Sequence, residues 1–180
     1  MRRGDGYPWI THRPTTSLML WHLLGPPTPT ATNDTSVRHS RRIMQTDPTL
    51  KVLIVDDTRV LRELLTFTVE NDARFSVAGC ATDGAQAILL AEQDRTDAII
   101  LDLQMPHMDG LTALPRLRHL CPDAVIAAHS FDFEALERAV ALGADLSVAK
   151  GSGLDELLDA IAVCRETRRR VHSSQMSGAA

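Results

Sequence analysis

Four charged residues stand where short apolar runs end, and together they could do chemistry. Asp56 and Asp57 close the run Lys51 to Val55, Asp102 closes Ala98 to Leu101, and Lys150 follows Asp145 to Ala149. A buried parallel strand delivers side chains in this way to its C-terminal edge, where open α/β sheets place their sites. Three carboxylates gathered in one cleft raise one another's pKa, and a divalent cation relieves that conflict. Oxygen-only donors with room for water and phosphate suit Mg²⁺, which takes one or two carboxylates plus substrate oxygens. If a phosphoryl group met such a site, the metal and the Lys150 ammonium would neutralise its charge while one carboxylate attacked phosphorus. Asp102 is the best-placed nucleophile, because it stands alone on its strand and a turn carrying Pro106 and Gly110 follows it.

The elements that must position these groups alternate regularly from Leu50 onward. Strands are expected at Lys51 to Val55, Phe75 to Cys80, Ala98 to Leu101, Ala124 to Ala128 and Asp145 to Ala149. Helix-period segments lie between and after them: one after Asp57 or Thr58 as cap, then Asp83 to Glu92, Leu111 to Leu120, Phe133 to Leu142, and Leu154 to about Thr167. Pro115 must fall in the first turn of the third helix or kink it, and Gly143 suits the C-cap of the fourth. Such alternation indicates βαβ units and a parallel sheet.

Composition narrows the possibilities. The 180 residues are 44% hydrophobic but only 4% aromatic, so the core must be largely aliphatic. Residues 1–43 hold six Arg against two Asp, whereas residues 44–180 hold 13 Lys and Arg against 21 Asp and Glu. A folded part at −8 argues against nucleic-acid binding. Three widely spaced cysteines, Cys80, Cys121 and Cys164, read as reduced residues of a cytoplasmic protein. Residues 1–49 carry six of the nine prolines and no sustained period, and are expected to be a mostly disordered extension. Within them SLMLWHLL (Ser17 to Leu24) is too short to span a membrane. Met44, just ahead of the first strand, offers an alternative start.

The strand-end pair in VDD (Val55 to Asp57), the block DLQMPHMDG (Asp102 to Gly110) and the lysine in GADLSVAKG (Gly143 to Gly151) resemble the receiver domains of bacterial two-component response regulators. The resemblance runs from about Leu50 to Ile161, and three separated motifs in the right order make it specific. It implies an α/β fold: a doubly wound (βα)5, flavodoxin-like or CheY-like parallel sheet of order 2-1-3-4-5. It also implies Mg²⁺-dependent phosphorylation of Asp102 by a sensor histidine kinase, or exchange with a histidine phosphotransfer protein. By position, Asp57 and Asp102 would hold Mg²⁺ directly and Asp56 through water. The main-chain carbonyl of Gln104 would complete the metal site, and Lys150 would pair with the phosphoryl group. Receivers usually end the fourth strand with Ser or Thr. Matching Phe131 and Asp132 to the usual loop puts His129 there, a shift of one gives Ser130, and an ungapped count back from Gly143 gives Ala128. Ser147 stands where the family usually has Tyr or Phe, so both switch positions are altered, and an imidazole at His129 would donate to a phosphoryl oxygen and gain charge beside the dianion.

The expected organisation is an extension (1–49), a receiver domain (50–164), and a basic helix end with a flexible tail (165–180). RETRRR (Arg165 to Arg170) reads as a solvated helix end, and Asp109 as a turn residue. Only 19 residues follow Ile161, too few for a helix-turn-helix module, so the expectation is a stand-alone receiver without direct nucleic-acid or membrane contact. It would dock an effector protein, or a second copy, through the fourth helix, fifth strand and fifth helix, with Ala135, Ala139 and Leu142 as a small apolar face. The alternatives are a phosphorylation-independent interaction module and the receiver half of a truncated DNA-binding regulator. An aspartyl-phosphate phosphatase fits poorly, since Asp57-Thr58-Arg59 lacks the acid two residues after the nucleophile.

Overall fold

The five expected strands and their helices are present in order in the structure, a computed structural model that describes Ile10–His12 and residues 49–177. The strands are β1 (Ile10–His12), β2 (Leu50–Val55), β3 (Phe75–Ala81), β4 (Ala98–Asp102), β5 (Val125–Ser130) and β6 (Leu146–Ala149). The helices are α1 (Arg59–Glu70), α2 (Gly84–Gln93), α3 (Gly110–Leu120), α4 (Phe133–Leu142) and α5 (Leu154–Ser177). The sheet order is β1-β6-β5-β4-β2-β3. Strands β2 to β6 are parallel, and counted from Leu50 they follow the expected 2-1-3-4-5. β1 is an addition: it pairs antiparallel along β6, within a stretch read from sequence as irregular. The rest of that extension, including Ser17 to Leu24, lies outside the described residues.

Strand alternation sorts the core into two layers. Val52, Ile54, Ala98, Ile100, Val125, Ala127, Leu146 and Val148 share one face with Leu65, Val69, Leu157, Leu158 and Ile161 of α1 and α5. Leu53, Val55, Ile99, Leu101, Ile126 and Ala128 meet α2, α3 and α4 through Ala87, Leu114, Leu117, Leu136 and Ala139. All five residues of β4 are buried. Burial of each large aliphatic there contributes about 1.5–3 kcal/mol, enough to seat the carboxylate at its end.

Several local readings need correcting. Ala135 and Ala139 are 6% and 0% exposed and pack into the core, because α4 turns the face that carries them toward β5 and β6. The apolar groups it leaves outside are Phe133 and Leu142. α3 begins at Gly110, so Pro115 lies beyond the first turn. Thr58 is the N-cap residue of α1 but makes no side-chain cap. Asp109 caps α3, its Oδ1 accepting from Thr112 N–H at 2.7 Å. Gly143 ends α4 in the left-handed region as expected, at φ 115.

α5 also departs from expectation, continuing past Thr167 to Ser177. Arg165 and Arg168 are not a solvated basic end. Arg165 reaches Asp97 at 3.1 Å and the Asp123 carbonyl at 2.6 Å. Arg168 pairs with Asp145 Oδ1 at 2.8 Å while Arg118 of α3 grips Asp145 Oδ2 and the Gly143 carbonyl. These bonds tie α3, α4 and α5 together at the N-terminal edge of the strands.

Candidate functional site

The opposite edge of the sheet gathers the acidic groups. Asp102 is the last residue of β4 and is 3% exposed; Asp56 follows β2 directly and is 1% exposed. Asp57, the next residue, is exposed. A carboxylate oxygen of each lies within 4.8 Å of the others, forming one three-acid cluster. Carried past the ends of the strands, the alternation of Ile54, Ile100, Ala127 and Val148 puts Asp56, Asp102, His129 and Lys150 on one face. Four adjacent strands thus contribute one row of polar groups.

Lys150 is the centre of that row. Its Nζ lies 2.8 Å from Oδ2 of Asp56 and 2.8 Å from Oδ2 of Asp102, while its side chain is 8% exposed. The other oxygens are held by backbone: Thr58 N–H donates to Asp56 Oδ1 at 2.8 Å, and Gln104 N–H to Asp102 Oδ1 at 3.1 Å. Arg62, one turn into α1, donates to the carbonyls of Asp56 and Asp57 at 2.7 and 2.8 Å and so fixes the loop that presents both acids. The Phe131 ring, 5.9 Å from Lys150 Nζ, flanks the site from the β5–α4 loop. Arg62 carries no sequence signal, since nothing in its spacing points to the acids, and in sequence Phe131 marks only the loop that places His129.

Charge balance at this edge is incomplete. One ammonium faces two buried carboxylates and an exposed third. Burial pushes the Asp102 carboxyl above its ordinary range; Lys150 and the Gln104 N–H pull it down, and Asp56 pushes it further up. Burial alone would depress the Lys150 ammonium, but its bonds to Asp102 and Asp56 outweigh that and raise it. An under-neutralised, oxygen-only donor set of this kind fits a hard divalent cation.

The loop after Asp102 is shaped by close approach. A Cβ on Gly110 would strike the carbonyl oxygen of Asp102 and Cα of Leu103, so only glycine lets α3 start against the end of β4. His107 adopts φ 64, Met108 N–H donates to the Pro106 carbonyl, and Gly84 N–H donates to the Met108 carbonyl. This contact ties the turn to the start of α2.

The residues expected at the two switch positions are both buried. His129 pairs in register with Asp102, is 2% exposed, and its Nδ1 has no hydrogen-bond partner. Burial first, and the Lys150 ammonium second, push its pKa down to about 4 against the partial opposition of Asp56. The imidazole is therefore neutral in the resting site. Ser130, the next residue, points to the other face, where its Oγ accepts from Asp132 N–H at 3.1 Å. Ser147, 4% exposed, pairs with Ala128 on that same other face of the sheet.

A five-stranded doubly wound sheet with an acid triad and a lysine at its C-terminal edge defines the receiver class of α/β domains. The family model for the response regulator receiver domain matches residues 52–162, and the chain belongs to that family. Among curated proteins, a protein-glutamate methylesterase/protein-glutamine glutaminase from Shewanella sp. (strain MR-4) is 42% identical over 99 residues, covering 53% of this chain and 28% of that protein. A homologue of the same name from Koribacter versatilis is 36% identical over 142 residues, covering 70% and 38%. The chain therefore spans well under half the length of these relatives. Among solved structures, the receiver of AraT from Geobacillus stearothermophilus superposes with TM-score 0.61 at 29% identity, covering 69% of this chain and 98% of that one. The response regulator domain of Thermotoga maritima CheB gives TM-score 0.60 at 25% identity, covering 66% and 97%. None of the helices searched among the described residues is long and apolar enough to cross a membrane.

Proposed function

We propose that the protein is a phosphoacceptor of a two-component phosphorelay, with Asp102 as the residue modified. The observation that carries this reading is the Lys150 ammonium held 2.8 Å from buried Asp102 with Asp56 and Asp57 in the same cluster. Asp57, Asp102, Asp56 through water and the Gln104 carbonyl would hold Mg²⁺, whose charge would offset that of the phosphoryl oxygens. An Asp102 oxygen attacks the phosphorus of a phosphohistidine on a sensor kinase or phosphotransfer protein. The new O–P bond forms as the P–N bond breaks, and the electron pair stays on the imidazole nitrogen, which takes up a proton. Lys150 then shifts its contact from carboxylate to phosphoryl oxygen. His129, neutral and with Nδ1 unpaired, supplies a hydrogen-bond donor where a hydroxyl is usual.

Val60, Leu64 and Phe67 form an exposed apolar stripe on α1, next to Asp57, and suit a helical histidine-bearing partner. The effector face would comprise α4, β6 and α5, with Phe133 and Leu142 as its exposed apolar groups. On this reading the protein accepts and slowly loses one phosphoryl group and catalyses no separate reaction. The methylesterase and glutaminase activities named for the curated relatives are not carried over, because the chain spans so little of them.

The test is intact mass after incubation of the full chain with a small acyl phosphate and Mg²⁺, beside Asp102→Asn. A single phosphate-sized gain that requires Mg²⁺ and disappears in the variant is expected. No gain would favour a phosphorylation-independent interaction module, the reading that His129 and Ser147 at the switch positions support.

A further inference from the structure

The parallel part of the sheet ends at β6, and β1 lies along its outer edge. Lys150, just after β6, donates its N–H to the Ser130 carbonyl of β5. In a parallel ladder, alternate residues turn their backbone groups to alternate neighbours. The N–H and C=O of Leu146 and Val148 therefore turn to β5 as those of Lys150 do, and those of Ser147 face away from it, where they would form an open template for any passing strand. β1 meets that residue: Thr11 is opposite Ser147, with Ile10 opposite Val148 and His12 opposite Leu146 on either side. Sequence adds a long-range attraction, since residues 1–43 carry +4 and the remainder −8. Pro8 and Pro14 bracket the segment, and a proline cannot donate to a ladder, so the pairing is limited to a short stretch.

We propose that the outer edge of β6 is a strand-addition site whose resident occupant is the Ile10–His12 segment of this same chain. The leader closes the edge in cis and denies it to strands of other chains. It lies along the strand that leads into Lys150, so what occupies this edge borders the element carrying the phosphoryl-contact lysine. The inference stands on backbone register alone and is independent of phosphorylation.

Amide hydrogen exchange in the full-length protein, read residue by residue by NMR, tests it. The Ser147 amide is expected to be protected in the native chain. In Thr11→Pro, which removes the N–H that faces the Ser147 carbonyl, it should exchange at least about tenfold faster. The Leu146 and Val148 amides, turned to β5, should keep their rates and so report an intact sheet. Thr11→Ala should leave all of these rates unchanged, because alanine keeps the backbone N–H. Fast exchange of Ser147 in the native chain, or unchanged protection in Thr11→Pro, would overturn the proposal.

Discussion

Replacing Lys150 by methionine probes the electrostatics of the site in a form that can be measured without a kinase. Methionine keeps most of the apolar stem and removes the charge that lies 2.8 Å from both Asp56 and Asp102. The two carboxylates, 1% and 3% exposed, are then left together with no buried cation. Removing one partner from a buried ion pair costs about 3–5 kcal/mol. Asp102, already pushed toward its neutral form by burial, can relieve part of this by taking a proton, so the loss should shrink as pH falls. A divalent cation can relieve it too, because binding at ~1,000 times Kd adds about 4 kcal/mol to the folded state. Urea unfolding at neutral pH should therefore show a loss of about 3–5 kcal/mol in EDTA and less than about half of that in saturating Mg²⁺. Mg²⁺ should bind the variant at least as tightly as the native protein, since no ammonium competes for the same oxygens. Phosphorylation by a small acyl phosphate should slow by about 100-fold or more, the cost of removing a charge aimed at the transferring group. An equal stability loss with and without Mg²⁺, or weaker Mg²⁺ binding, would refute this account of the site.

His129 titrates near 4 when folded and near 6.5 when unfolded, so between those values the unfolded chain binds more protons and stability rises with pH. Its contribution is complete above the unfolded pKa and is lost as pH falls through the folded one, to a limit of roughly 3 kcal/mol. Asp102 has the opposite slope in acid, so the difference between native protein and His129→Asn in EDTA isolates the imidazole, and a pH-independent difference would count against it. Gly110→Ala should cost about 1–3 kcal/mol or more by forcing the turn off β4, and should impair phosphorylation with it; unfolding curves and mass together check this. Asp145→Asn should destabilise by about 2 kcal/mol, below the fully buried figure because its arginine partners are partly hydrated. Thermal or urea unfolding measures that loss, and it should leave phosphorylation by a small donor unchanged.

Much of the site was legible because each strand here is a short aliphatic run ending in a charge. Val52 to Val55 and Ala98 to Leu101 could hardly be anything but buried strands, and Asp56, Asp57, Asp102 and Lys150 followed from where they stop. The end of β5 was less legible, since His129 and Ser130 are polar yet buried within the strand, and composition alone places them in the loop. Ala135 and Ala139 were misplaced because a small residue satisfies either face of a helix. Only close packing against β5 and β6, which is long-range, decides between them. Arg165 and Arg168 read as solvated for the same reason: their partners Asp97, Asp123, Asp145 and Ala124 lie 20 residues or more away along the chain. β1 left no trace in hydropathy, because three residues are too few to show a period.

The bonds around Asp145 give the domain a fulcrum. Arg118, Arg168 and the Ile126 N–H all converge on that carboxylate, and Arg118 also holds the last turn of α4 through the Gly143 carbonyl. The C-terminal ends of α3 and α4 are pinned there to the middle of α5, while the near ends of the three helices border the acid cluster. A displacement started at Asp102 cannot translate these helices as bodies. It must tilt them about the pinned point, so its amplitude is greatest beside the acid cluster and dies away toward Asp145.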